Sequence, residues 1–168
     1  MRQDINTAIR KCHLFAGADD ASVAALARAS RFVRFRRGQV LFMAGDPPDG
    51  LYVLQSGLVR IWIADEEGRE LTIALMEPGD PFGEIALLDG LPRTANATAL
   101  EATECLVTPP SALDAALDGN LALVRRLHRA AEQAGADLAD GFAVDDHACF
   151  GDALQDCEHR KSLRQGLL

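Results

Sequence analysis

The spacing of apolar residues changes near residue 30, and this change divides the chain into helical and strand-forming parts. Before it, apolar residues recur three and four positions apart, as on one face of a helix: Ile5, Ala8, Ile9 and Cys12. Asp19 and Asp20 precede a second such pattern, and acidic residues are typical of a helix start. We therefore predict a helical lead over residues 1–30.

From residue 31 onward, short apolar runs are separated by turns rich in Gly, Pro and Asp. Such spacing is typical of antiparallel strands in a sandwich or roll. The predicted strands cover residues 31–36, 40–43, 51–54, 58–63, 71–75, 95–100 and 104–108. We expect them to close a jelly roll of about eight strands.

Helical spacing returns after Pro109 and Pro110, first in a short helix and then in a longer one from about residue 121 to residue 139. The longer helix carries an apolar seam of heptad type, formed by Val124, Leu127, Ala131, Ala134 and Leu138. A seam of this kind predicts either a dimer interface or packing on the chain's own roll.

These patterns together predict an α+β fold, in which helices flank an antiparallel β-roll, also called a jelly roll or double-stranded β-helix. We expect four segments. They are an N-terminal helical lead (1–30), the β-roll (31–109), the C-terminal helices (110–139) and an acidic tail with expected disorder (140–168).

Residues 81–99 combine groups that suit a small anion. Gly83 permits a tight turn before a short helix, whose first amides lack intrahelical partners. Arg93 supplies a planar fork of donors for phosphate oxygens, and Thr94 adds a hydroxyl. Glu84 repels a phosphate, so its expected partner is a neutral donor such as a sugar hydroxyl. Phosphate and sugar hydroxyl together indicate a nucleotide. The alternative is an ion pair between Glu84 and Arg93 that only fixes the short helix to the roll.

The segment Phe82-Gly83-Glu84-Ile85-Ala86-Leu87-Leu88, followed by Arg93-Thr94-Ala95, resembles the phosphate-binding cassette of cyclic nucleotide-binding domains, in particular the Crp/Fnr family of bacterial regulators. The resemblance also covers residues 38–57 and extends more loosely to residue 139. It implies a cAMP or cGMP ligand. The implied ligand-binding residues are Gly83, Glu84, Ile85, Ala86, Arg93 and Thr94. Arg93 and Thr94 would hold the cyclic phosphate, Glu84 would accept from the ribose 2′-hydroxyl, and the others would contribute backbone groups.

The resemblance also implies that the long helix covers the base and forms a homodimer interface. Where many cAMP-responsive relatives present hydroxyl groups, this chain has Arg129-Ala130-Ala131-Glu132, so the choice between cAMP and cGMP stays open. Two alternative functions also stay open. One is a ligand-independent dimerisation or protein-interaction module, and the other is a shortened transcription regulator without its DNA reader.

Charge and hydropathy narrow the expected partners. The 168 residues carry a net charge of −8, which argues against a protein that coats nucleic acid or an anionic membrane. No apolar run approaches the roughly 18 residues of a membrane span, so we expect a cytoplasmic protein without a membrane partner. Too few residues follow position 139 for the winged helix that continues Crp/Fnr regulators, and those residues are acidic and would repel phosphates. We therefore expect no direct DNA binding by this chain alone.

Enzymatic and metal functions find little support in the sequence. All the histidines, His13, His128, His147 and His159, lie outside the predicted strands, so a cupin-type metal site has no ligands there. No nucleophile–base pair is evident, and we expect no enzyme activity. His147, Cys149, Cys157 and His159 have donors suited to zinc, but their spacing differs from that of common zinc fingers, so we expect no metal.

Overall fold

Two antiparallel sheets of four strands each form the centre of the protein, seen here in a computed structural model. The structure describes residues 4–118 and 120–141, with side chains described up to residue 134. The candidate zinc ligands and most of the predicted acidic tail, at residues 142–168, lie outside the described residues. The side chain of Leu138, assigned to the seam, also lies outside them.

The strand bounds confirm the predicted roll. The strands are β1 (Arg31–Phe35), β2 (Val40–Phe42), β3 (Leu51–Ser56), β4 (Val59–Ala64), β5 (Glu70–Met76), β6 (Pro81–Phe82), β7 (Asn96–Ala99) and β8 (Thr103–Thr108). They pair in the orders β1-β8-β3-β6 and β2-β7-β4-β5. The short strand β6, which leads into the candidate site, is the one that the apolar pattern did not predict.

The helices follow the predicted order. They are α1 (Ile5–Lys11), α2 (Asp20–Ala29), α3 (Ile85–Asp89), α4 (Pro110–Leu117) and α5 (Leu121–Gly141), with a 3-10 turn at His13–Phe15. Asp19 caps α2, as expected, because its side chain accepts a hydrogen bond from the Ser22 amide at 2.7 Å.

The first sheet is apolar on both faces, which explains the long apolar runs in its strands. Leu51, Val53 and Leu106 pack against the helices. Neighbouring residues such as Tyr52 and Leu54 point the other way, into the space between the sheets. Because successive strand residues alternate between faces, one sheet contributes to two cores. The helices, the first sheet and the second sheet therefore form three layers.

The seam predicted on α5 requires a correction at Leu127. This side chain is 0% exposed and lies in the core of its own chain, together with Leu123 four residues earlier. A heptad seam and a helix face buried against its own domain have the same spacing, so the sequence did not separate them. Val124, Ala131 and Ala134 are only half-buried, and they belong to neither core cluster.

Truncation of Leu127 to alanine should lower the free energy of unfolding by about 3 kcal/mol, because it removes apolar contacts and leaves a cavity. Leu121→Ala is the matched control on the same helix, since Leu121 is 61% exposed. Its truncation should change that free energy by less than about 0.5 kcal/mol. Urea unfolding followed by circular dichroism measures both, and equal losses would contradict the burial of Leu127.

Candidate ligand-binding site

The candidate site is built around residues 82–95, which we call the cassette. Gly83 follows β6 with a φ of 83°, a conformation that favours glycine. A Cβ atom there would lie 2.7 Å from Nη1 of Arg93, so the close approach of the arginine also requires glycine. The turn delivers the chain into α3, whose first amides have no intrahelical acceptors and point away from the helix end.

Arg93 is the centre of the site, and its side chain is only 2% exposed. Nη1 donates to the Gly83 carbonyl at 2.6 Å, and Nη2 donates to the Gly50 carbonyl at 2.8 Å. Nη2 also donates to Oδ1 of Asp49 at 2.7 Å. The guanidinium lies over the Phe42 ring, 4.2 Å from its centroid. These contacts fix the side chain in one position.

Within the described part of the chain, one nitrogen of this guanidinium has no acceptor. The Nε atom of Arg93 is buried and has no hydrogen-bond partner among the described residues. A buried donor without an acceptor costs free energy, and the cost is larger for a charged group. The guanidinium is therefore suited to one further acceptor, such as an anion oxygen.

Asp49 is held from its other side by Tyr52. The Tyr52 hydroxyl donates to Oδ2 of Asp49 at 2.6 Å, while Oδ1 accepts from Arg93. Burial raises the pKa of Tyr52, and the neighbouring Asp49 charge raises it further, so the hydroxyl remains a donor at neutral pH. The Tyr52 ring packs on Phe82, with the centroids 5.3 Å apart.

Sequence reasoning missed both Asp49 and Tyr52. Asp49 lies in a turn that was explained by its Asp, Pro and Gly content, and Tyr52 lies in an apolar strand. A tyrosine inside a buried strand needs a partner for its hydroxyl. This requirement could have indicated from the sequence that the Tyr52 hydroxyl pairs with a nearby acceptor such as Asp49.

Glu84 precedes α3 and is buried, with 4% of its surface exposed. Burial raises the pKa of its carboxyl, and a hydrogen bond from its own backbone amide and the nearby Arg93 charge oppose this only in part. Among the described residues, the carboxylate that pairs with Arg93 is that of Asp49. The alternative interpretation, an ion pair between Glu84 and Arg93, is therefore wrong.

The other predicted residues lie along the same cassette. Thr94 is exposed next to Arg93, Ile85 is half-buried, and Ala86 is buried at the start of α3. All six predicted residues thus lie on the turn, on α3 or at the approach to β7. Within the part of the chain that the structure describes, no group of three or more His, Cys, Asp or Glu residues could hold a metal ion.

The cassette also contacts the long C-terminal helix. Leu87 and Leu88 of α3 pack against the core cluster that contains Leu123 and Leu127 of α5. Further along, α5 lies against β5. The site and α5 therefore share one packed core. Of the helices described, none has the length and apolar character needed to cross a membrane.

Comparison with known proteins agrees with this geometry. The family model described as "Cyclic nucleotide-binding domain" matches residues 32–120. The chain is 37% identical over 92 residues to the "CRP-like cAMP-activated global transcriptional regulator" of Mycobacterium tuberculosis, a match that covers 55% of this chain and 41% of that protein. It is 35% identical over 139 residues to the "Cyclic AMP receptor protein" of Thermus thermophilus, covering 79% of this chain and 61% of that protein. The chain thus spans less than two thirds of the length of either regulator.

A solved structure matches at similar identity. It is the N-terminal domain of a transcriptional regulator from Streptomyces coelicolor, 34% identical, with a TM-score of 0.61. The match covers 83% of this chain and 99% of that one. This chain therefore matches nearly the whole of a domain whose structure was solved on its own.

Substitution of Glu84 by glutamine should stabilise the protein at neutral pH by roughly 1 kcal/mol, because burial makes the charged form of this carboxyl costly. The native pKa is raised, so the contribution of Glu84 to wild-type stability should fall as the pH rises from the unfolded-state pKa through the native one. The gain from Glu84→Gln should therefore shrink at acidic pH. Urea unfolding between pH 4.5 and pH 8 tests this, with the exposed Glu101→Gln as control. A pH-independent difference would contradict the buried-charge explanation.

Proposed function

This chain belongs to the cyclic nucleotide-binding domain family, and on that basis we propose that it is a sensor module that binds cAMP or cGMP and signals through α5. The observation that carries the proposal is the buried Arg93, whose Nε donor has no partner among the described residues. It lies beside the turn at Gly83 that leads into α3. A cyclic phosphate would supply the missing acceptor.

Within this proposal the roll over residues 31–109 is the binding domain, and residues 110–139 form the lid and the dimer helix. Arg93 and Thr94 hold the phosphate, together with backbone groups of Gly83, Ile85 and Ala86. Charge-assisted hydrogen bonds of this kind are stronger than neutral ones, so they account for most of the affinity.

Glu84 is assigned to the ribose. Its carboxyl is buried, and burial raises its pKa. The 2′-hydroxyl of a ribose would give this carboxylate the donor that it needs, and a like-charged phosphate would not. The same group therefore costs stability in the free protein and contributes a contact in the complex.

At two of the positions proposed to contact the base of the nucleotide, this chain has no polar side chain. Ala130 and Ala131 of α5 are half-buried and have no side-chain donor. Contacts to the base from these positions are therefore apolar and do not distinguish adenine from guanine by hydrogen bonds. Titration with cAMP and with cGMP shows which of the two nucleotides the protein prefers.

Signal transmission follows from the shared core of α3 and α5. A ligand that orders the start of α3 changes the packing of Leu87 and Leu88, which lie against the α5 cluster. If α5 has two positions that differ in this packing, the ligand shifts the population toward one of them.

We also propose that the chain forms a homodimer through α5. After correction for Leu127, the remaining candidates on the seam are the half-buried Val124, Ala131 and Ala134, which lie in neither core cluster, and Leu138. Small side chains allow close approach of two helices. The proposal extends to a cytoplasmic protein that acts by binding, with no catalysis and no direct DNA contact of its own.

Isothermal titration calorimetry with cAMP and with cGMP tests the ligand directly. We expect saturable binding of at least one of them. Ligand at a hundredfold excess over its Kd should raise the free energy of unfolding by about 2.7 kcal/mol, which appears as a higher melting temperature. Arg93→Ala and Arg93→Lys should both lose most of the affinity, since lysine keeps the charge but not the fork.

Arg34→Ala is the matched control for these variants, because Arg34 is 81% exposed on the edge strand β1 and pairs with Glu104. It should bind as the wild type does. Circular dichroism shows whether the Arg93 variants remain folded. Unchanged affinity in a folded Arg93→Ala variant would refute the phosphate site. An absence of binding to both nucleotides would favour a ligand-independent interaction module.

Val124→Glu should convert the dimer to monomers, because it places a charge at the proposed contact between two helices. Ala122→Glu adds the same charge on the exposed face of the same helix and should leave the dimer intact. Size-exclusion chromatography with light scattering measures both molar masses. A dimer that survives Val124→Glu would place the interface elsewhere.

A further inference from the structure

The positive charge at the candidate site is already neutralised before any ligand arrives. The Arg93 guanidinium lies 2.7 Å from the Asp49 carboxylate, and its Nη atoms also donate to two backbone carbonyls. Glu84 brings a second carboxylate into the same region. With both carboxylates ionised, these three groups have a net charge of −1. The site is therefore less attractive to anions than a bare arginine would be.

Asp49 is fixed in this position through both of its oxygens. Oδ1 accepts from Arg93, and Oδ2 accepts from the buried Tyr52 hydroxyl at 2.6 Å. The carboxylate cannot turn away without breaking two hydrogen bonds, one of which leads to a guanidinium with a side chain only 2% exposed. The Asp49 carboxylate is thus held beside Arg93 in the free protein.

We propose that Asp49 is a specificity residue, which lowers the affinity of the site for doubly charged open monophosphates relative to a singly charged cyclic phosphodiester. The inference rests on the proposed function, since it concerns a nucleotide phosphate on Arg93. An anion that binds the same guanidinium as Asp49 lies within roughly 6 Å of the carboxylate, given hydrogen bonds on two sides of one planar group. Each added charge on the phosphate is repelled at that distance.

The size of this effect follows from Coulomb's law. Asp49 is 55% exposed, so water screens its charge and the effective dielectric lies between that of a protein surface and that of bulk water. Under those conditions, one extra charge at this distance changes affinity by about tenfold. The cyclic ester has one charge, and an open monoester above its second pKa, near 6, has two.

Asp49→Asn is the decisive variant, because asparagine has nearly the same shape and its carbonyl oxygen can still accept from Arg93. Binding of cAMP, 3′-AMP and 5′-AMP is measured by calorimetry at pH 8, with cGMP and its open forms used if cGMP is the stronger ligand. We expect the ratio of cyclic to open affinity to fall about tenfold in Asp49→Asn. Asp49→Glu keeps the charge and should keep the wild-type ratio. Glu101→Gln, a charge change on an exposed turn, should also keep it.

A second measurement needs only the wild-type protein. Between pH 8 and pH 5 the open monophosphates lose one charge, while the cyclic ester keeps its single charge. The ratio of cyclic to open affinity should therefore fall as the pH is lowered. Glu84 also loses its charge as the pH falls, and that charge repels the doubly charged form more strongly, so this measurement tests the repulsion by both carboxylates together.

The outcomes separate this inference from the proposed function. If the wild type binds neither cyclic nucleotide, both are overturned. If it binds one, but Asp49→Asn weakens cyclic and open nucleotides equally, then Asp49 only positions Arg93 and the specificity inference is wrong. A fall in the ratio, with open monophosphates gaining affinity, supports it.

Discussion

The burial of one guanidinium is the constraint on which the cassette depends. A charge taken out of water is costly unless it is paired and hydrogen-bonded. Arg93 meets that requirement with three partners from two loops: the Gly83 carbonyl before α3, and the Gly50 carbonyl and Asp49 carboxylate before β3. The Phe42 ring on β2 covers its face. One side chain thereby fixes two loops and the start of a helix relative to the roll. Loss of the arginine would affect both the shape and the chemistry of the site.

The second constraint is the first sheet, which must be apolar on both faces because it lies between two other layers. Its outward residues, such as Leu51 and Leu106, support the helices, and its inward residues support the aromatic group around Arg93. Helix α5 packs on the core that contains the outward residues, through Leu123 and Leu127. For this reason a change at the cassette and a change at α5 are mechanically connected. A close-packed core transmits small displacements because it leaves few voids that could absorb them.

The features that the sequence predicted are those encoded by local pattern. Helix spacing, strand alternation and the short cassette motif all lie within a few residues of one another, so the roll, α5 and the short helix that carries the candidate residues could be predicted. Asp49 could not, because it contacts Arg93 across 44 positions and only the folded roll brings them together. Leu127 was misassigned for a different reason. Its spacing fits a dimer seam and a buried helix face equally well, and only tertiary packing decides between the two.

Two groups of the described structure that are costly to bury belong to the same site. The Nε donor of Arg93 lacks an acceptor, and the buried Glu84 carboxyl has its pKa raised by desolvation. Elsewhere in the described chain, buried polar groups such as Ser30 and Thr108 are paired with each other. Natural folds keep few unsatisfied buried groups, and those that persist are often found where a ligand completes them. An unpaired guanidinium donor and a buried carboxyl on one cassette match the proposed ligand, which has an anionic oxygen and a hydroxyl. The free energy lost in the unbound protein is then recovered on binding, and the recovery depends on a ligand that offers both groups at once.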